Sequence, residues 1–181
     1  MNRNDDLYKF LLSLGTDKVA HTGGDFLHHL QSVENLLEEN GADSDMSRAG
    51  LFHSIYGTQG FQDFSVPLSE RAVIKNLIGE RAEFVAFCNC VMNRETFDEA
   101  LAQAVTNGNS FTIENREDKS SIELNRSQLI DLSEIHLFDW LEQVKRSDRG
   151  WNYRRIAYKN MARLVGTRAT DLYERVFADE T

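Results

Sequence analysis

Ala49-Gly50-Leu51-Phe52-His53-Ser54-Ile55-Tyr56-Gly57-Thr58 is the stretch on which the reading of this chain turns. An apolar helical run closes on a histidine and a serine and then breaks at Gly57-Thr58. His53 therefore stands at the mouth of a loop rather than in mid-helix. Its helix starts at a cap, Asp43 or Ser44, and runs to about Tyr56, with Met46, Ala49, Leu51, Phe52 and Ile55 apolar. The helix before it spans about Asp25 to Asn40 on a stripe of Phe26, Leu30, Val33, Leu36 and Leu37. Gly41 ends that helix where a left-handed C-cap residue is expected. The two make an αα-hairpin. His29 lies 12 residues before Gly41 and His53 12 after it. At roughly 1.5 Å of rise per residue, both sit about 18 Å from the turn. Antiparallel legs with axes roughly 8–10 Å apart return the two imidazoles to one level. The spacing predicts that His29 and His53 face one another, at a metal site.

Outward from the hairpin, a short helix over Asp5 to Leu14 stops at Gly15, and Thr16 to Gly24 reads as a loop holding His21. Downstream, Gln59 to Leu68 is an aromatic-rich loop closed by Pro67. Helices follow over Ser69 to Ile78, Glu80 to Met92 and Phe97 to Val105, the last ended by Asn107-Gly108-Asn109. The period then changes. Ser110 to Glu114 and Ser121 to Asn125 alternate apolar and polar about a turn, which predicts a small β-hairpin over about residues 110–125. It would flap over one side of a helical body, closing on a ligand or contacting another subunit of a homodimer. Ser127 is expected to cap a long helix carrying Leu129, Ile130, Leu132, Ile135, Phe138, Trp140, Leu141 and Val144. Two last helices, about Trp151 to Leu164 and Thr167 to Ala178, flank Gly166. The fold class is mainly α with one small β-hairpin, in a single domain over 1–181.

At 181 residues, 41% hydrophobic and 27% charged with one proline, the chain is long enough to bury a core. It lacks an apolar signal-peptide core and any run near the roughly 20 apolar residues of a membrane span, so a cytoplasmic protein is expected. Cys88 and Cys90, two apart on a helix, point to different faces and read as buried thiols of a reducing compartment. A net charge of −9 argues against nucleic acid as a partner. Between Lys145 and Arg175, however, nine basic residues meet three acids (Asp148, Asp171 and Glu174). That stretch is either a set of solvated, paired helix faces or a local anion-binding surface. Asp131 and Glu134 sit among apolar residues, where a lone buried charge is costly. Either they mark an exposed helix edge, or Asp131 is a ligand carboxylate. His136 reads as a surface or packing residue. Trp140, Trp151 and Tyr153 read as core or interface aromatics.

His29-Leu30-Gln31-Ser32-Val33, with Leu36-Leu37, Gly41-Ala42-Asp43 and Ala49-Gly50-Leu51-Phe52-His53, resembles the core of the HD-domain superfamily. It echoes the alarmone hydrolases and the inositol oxygenases that share that fold. The resemblance implies an HD-like helical bundle in which a histidine on one helix, a His-Asp pair ending the next and a distant aspartate bind one or two metals. His29, His53 and Asp131 would be those ligands. Two departures are chemical. Ser54 replaces the aspartate of the His-Asp pair and is a poor, neutral ligand, which tells against a bridged two-metal centre. Gly57 and Thr58 stand where alarmone hydrolases carry a Glu-Asp pair, so their acid-base chemistry does not transfer.

Two histidines and one carboxylate suit mononuclear Fe(II), and also Zn or Mn, with positions left open for water or substrate. His21, Asp25 and His28 are near enough in sequence to act as a further ligand, a support or an acid-base group. Asp25, one turn before His29, would orient its ring; His28 points about 100° away. Ser54, Tyr56 and Thr58 would line the pocket mouth. The expected function is a metal-dependent enzyme acting on a small anionic, phosphorylated metabolite, by hydrolysis or oxidation. Two other readings stand beside it: a degenerate HD-like protein that binds a small ligand without turnover, and a helical interaction module whose histidines are structural.

Overall fold

The computed structural model describes residues 3–106 and 108–180. Met1, Asn107 and Thr181 of the expected boundaries lie outside them. Among the described residues, the chain forms nine α-helices and two two-stranded antiparallel sheets. Helix α1 (Arg3–Ser13) ends at Gly15, and a 3-10 turn (Thr16–Lys18) follows. Strands β1 (Ala20–His21) and β2 (Gly24–Asp25) then pair in the register Ala20↔Asp25 and His21↔Gly24. The segment expected as loop is thus a minimal hairpin. Gly23 supplies the positive φ of its turn, at 75°.

Helices α2 (Phe26–Glu39) and α3 (Ser44–Phe52) are the predicted αα-hairpin. Asp25 caps the first by accepting from the amide of His28, and Asp43 caps the second by accepting from Asp45 and Met46. Gly41 turns the chain with φ 77°. Helix α3 ends four residues sooner than its pattern suggested, leaving His53 as the C-cap and Ser54 to Tyr56 as a turn. Helices α4 (Arg71–Ile78), α5 (Glu80–Val91) and α6 (Arg94–Thr106) come next.

The β-hairpin is present as β3 (Ser110–Glu114) and β4 (Ser121–Asn125), in the register Ser110↔Asn125 to Glu114↔Ser121. It packs Phe111, Ile113 and Leu124 into the core and lies against α6 and the long α7 (Arg126–Gln143). Its tip is tied down, since Arg116 donates to the carbonyls of Cys90 and Gly57. The cap of α7 is Asn125 rather than Ser127, in a reciprocal capping box with Gln128. Helix α8 (Arg155–Val165) starts four residues later than its pattern suggested, because Gly150 and Arg154 both adopt positive φ. Helix α9 (Thr167–Phe177) completes the chain.

Helix α7 is the axis of the body, contacting α2, α3, α5, α8 and α9. It is buried nearly all round, and Leu129, Leu132, Ile135, Leu137 and Phe138 are almost wholly excluded from solvent. Helices α2 and α3 pack extensively against each other. A Cβ on Gly50 would stand 2.3 Å from Leu37 Cδ1, so a larger residue there would have to displace that buried side chain. Cys88 and Cys90 are free and buried, and burial pushes both thiols up to about 12. Among the described residues, no helix is long and apolar enough to cross a membrane.

Candidate metal centre and the cavity above it

The close packing at Gly50 brings the hairpin's two histidines together. His29 and His53 are 2% and 0% exposed, and their Nε2 atoms lie 3.2 Å apart. The other nitrogen of each ring is already engaged. His53 Nδ1 donates to the Gly50 carbonyl at 2.7 Å, and His29 Nδ1 donates to Glu142 Oε2 at 2.8 Å. Those bonds place the Nδ1 protons and leave both Nε2 atoms as lone pairs aimed at one point.

The third group at that point is Asp139, whose Oδ1 lies 3.2 Å from His29 Nε2 and 3.4 Å from His53 Nε2. The expected carboxylate, Asp131, is elsewhere. It takes a two-pronged ion pair from Arg81 at 2.8 Å per contact, Arg81 also reaching Asp43. Asp131 sits two helical turns before Asp139, roughly 12 Å along α7 and out of reach of the imidazoles. Glu134, the other acid among the apolar residues, pairs with Arg168.

Three potential acceptor atoms facing one another in a buried site could hold a metal ion between them. The triangle they form has its centre about 1.9 Å from each atom, close to the roughly 2.0–2.1 Å of a zinc–nitrogen bond. Two imidazoles and one carboxylate suit Fe, Mn or Zn and leave the remaining coordination positions to non-protein ligands. Without a metal, a proton fills the same role. Burial pushes the His29 imidazole down, but Asp139 and Glu142 outweigh it and raise its pKa to about 9. Burial likewise pushes the Asp139 carboxyl up, and the two imidazoles overcome this to hold it well below the usual carboxylate range.

Glu142 and Arg146, neither singled out from the sequence, brace the centre. Arg146 pairs with Glu142 and also donates to the Thr22 carbonyl at 2.8 Å, tying the end of α7 to the β1–β2 turn. At the end of β1, beside that turn, His21 stacks on His29, ring centroids 4.1 Å apart. Burial lowers the pKa of His21 to about 4, the neighbouring His29 adding to the effect, and its Nδ1 finds no hydrogen-bond partner. Behind the centre, the His53 carbonyl accepts from Asn89 Nδ2 at 2.9 Å and from the Cys90 thiol. Asn89 Oδ1 accepts from His136 Nδ1 at 2.9 Å, and His136 Nε2 accepts from Arg154 at 2.7 Å. His136 is therefore a buried link in the support of His53, not a surface residue.

A cavity of about 330 Å³ opens above Asp139, walled by His21, Ser54, Thr58, Phe61, Arg94, Trp140, Arg149 and Tyr153. Of the residues assigned to its chemistry from sequence, His21, Ser54 and Thr58 are on its wall. Asp25 is not a ring-orienting group; it caps α2, and Glu142 orients His29 instead. Tyr56 does not reach the cavity, because its hydroxyl donates to Glu83, which Arg71 also holds.

Residues 10–94 match a family described as a domain of unknown function (DUF6817). The match spans less than half of the chain. It takes in His21, His29, His53 and Arg94 and stops before Asp139 and Glu142. No curated protein and no solved structure matches the chain.

Proposed function

We propose that the chain is a metal-dependent enzyme on an HD-like scaffold, acting on a small anionic, phosphorylated metabolite. The observation that carries this reading is the convergence of His29 Nε2, His53 Nε2 and Asp139 Oδ1 beneath a cavity. The order of the elements fits the HD-like resemblance: a histidine on one helix, a second ending the next and an aspartate from a helix much later in the chain. Asp139 takes the place expected for Asp131.

A divalent ion held there would polarise a phosphoryl or carbonyl oxygen and acidify a bound water. The protein supplies the rest. Glu142 keeps the Nδ1 proton of His29, and the Gly50 carbonyl keeps that of His53, so both Nε2 atoms stay available. His21, neutral at physiological pH, offers an uncommitted ring nitrogen beside the centre. Ser54 lines the cavity where a second carboxylate would be needed for a metal pair, which favours a single ion. A volume near the lower end for small-molecule pockets favours a compact substrate over a dinucleotide.

The test is turnover. Metal-stripped protein, reloaded in turn with Mn, Fe and Zn, is assayed against a panel of small phosphate esters. Phosphate release that depends on metal and disappears in Asp139→Asn supports the enzyme. Ligand binding by the reloaded protein with no turnover favours the degenerate, ligand-binding reading, for which Ser54 in place of the superfamily's aspartate is the motivating residue.

A further inference from the structure

The cavity above Asp139 carries two guanidinium groups that the metal chemistry does not use. Arg94, at the first position of α6, donates from Nη1 to the Tyr153 hydroxyl at 2.8 Å. Arg149 lies over the ring of the same tyrosine, its Cζ 4.8 Å from the centroid. One side chain thus holds two like charges on one cavity wall, by its hydroxyl and by its face. Among the described residues neither arginine has a carboxylate within ion-pairing distance. The surrounding basic stretch behaves differently. Lys145 pairs with Asp179, Arg146 with Glu142, Arg154 with Asp98, Arg155 with Glu180 and Arg168 with Glu134. Asp63 and Asp139 also line this cavity, but neither forms an ion pair with Arg94 or Arg149, and a bound anion between the two cations relieves their repulsion.

A further donor on the same wall is unmatched. Trp140 lines the cavity, is 3% exposed, and its indole N–H has no acceptor. A buried donor left without a partner costs free energy that a ligand oxygen recovers.

We propose that Arg94, Arg149 and Tyr153 form a phosphate-recognition wall, which anchors a phosphate group of the substrate away from the atom that reacts at the histidine–aspartate centre. The proposal rests on the reading of this cavity as a substrate site and specifies its ligand. Guanidinium forks match phosphate oxygens in geometry, and two of them balance a dianion. The substrate class is then a small metabolite bearing an anchoring phosphate at one end and, at the other, the phosphate ester that reacts at the centre.

The test uses inorganic phosphate as probe on the metal-stripped full chain, by calorimetry at constant ionic strength, beside Arg94→Gln, Arg149→Gln and a control, Arg163→Gln. Arg149 and Arg163 are both exposed, so their variants keep the fold, which circular dichroism verifies. The wild-type and control proteins are expected to bind phosphate with a millimolar dissociation constant, and each cavity variant to weaken it about tenfold, the loss of one charge-assisted contact. Equal affinity in all four proteins, or no phosphate binding by the stripped wild type, would overturn the wall. Metal uptake is measured separately on the same proteins. Retained uptake with indifferent phosphate affinity removes the wall alone. Phosphate binding lost in the cavity variants of a chain that takes no metal keeps the wall and removes the enzyme.

Discussion

The Nε2 atoms of His29 and His53 lie 3.2 Å apart although the residues are 24 positions apart in the chain. The distance depends on how closely α2 approaches α3, and Gly50 sets that approach. Gly50→Ala would place a Cβ against Leu37 Cδ1 and force that buried side chain, or the helix carrying it, to move. We expect it to cost about 1–3 kcal/mol in chemical denaturation, as overpacked cores do, and to weaken metal binding as well. A stable variant with unchanged metal affinity would mean that the site does not depend on this contact.

Asp139 and Asp131 make opposite predictions. Asp139→Asn should abolish metal binding, since it removes the one carboxylate oxygen near both imidazoles. Asp131→Asn should leave metal binding intact and lower stability by only about 1 kcal/mol, because Arg81 is 41% exposed and water screens the pair. Competition with a chromogenic chelator, run beside urea denaturation, reads both effects.

Glu142→Gln keeps an acceptor for His29 Nδ1 but removes its charge. Supporting carboxylates of this kind typically contribute about 10–100-fold to metal affinity, and a loss in that range is expected without loss of the fold. Unchanged affinity would reduce Glu142 to a partner of Arg146.

His136 gives the pH dependence. Burial lowers its pKa well below 6.5, and the guanidinium groups of Arg154 and Arg94 lower it further. The unfolded chain therefore takes up a proton near pH 6.5 that the folded chain refuses. Its stabilising contribution is complete above that pH and lost as pH falls below it, at up to about 1.4 kcal/mol per pH unit. Denaturation of the metal-free protein between pH 7.5 and 5 should show this slope added to an equal one from His21, whose pKa is lowered to about 4. His29, raised to about 9, acts in the opposite sense above pH 6.5. His136→Gln should flatten it by that amount, and an equal slope in the variant would contradict the account.

The hairpin and its histidines were legible because helix rise, a glycine turn and equal spacing fix the level of His29 against His53. The β-hairpin was legible from its change of period. The carboxylate was not. Helix α7 is buried nearly all round, so no apolar stripe shows which way Asp131, Asp139 or Glu142 points, and the resemblance points to Asp131, which Arg81 holds. The Asp139–Glu142 spacing of three puts two acids on one helical face, but Asp131–Glu134 has the same spacing, so it does not choose between them. Tyr56 was misplaced because α3 ends at Phe52 and the following turn sends its hydroxyl toward Glu83. Asp25 shares a helical face with His29, yet its position at the helix start made it a cap.

The central claim is most directly tested by elemental analysis of the chain purified without added metal, beside His53→Ala. The account predicts about one equivalent of Fe, Mn or Zn per chain, in line with a three-ligand site, and none in the variant. A wild-type chain that stays metal-free even after reloading, or a His53→Ala chain that keeps its metal, would contradict it.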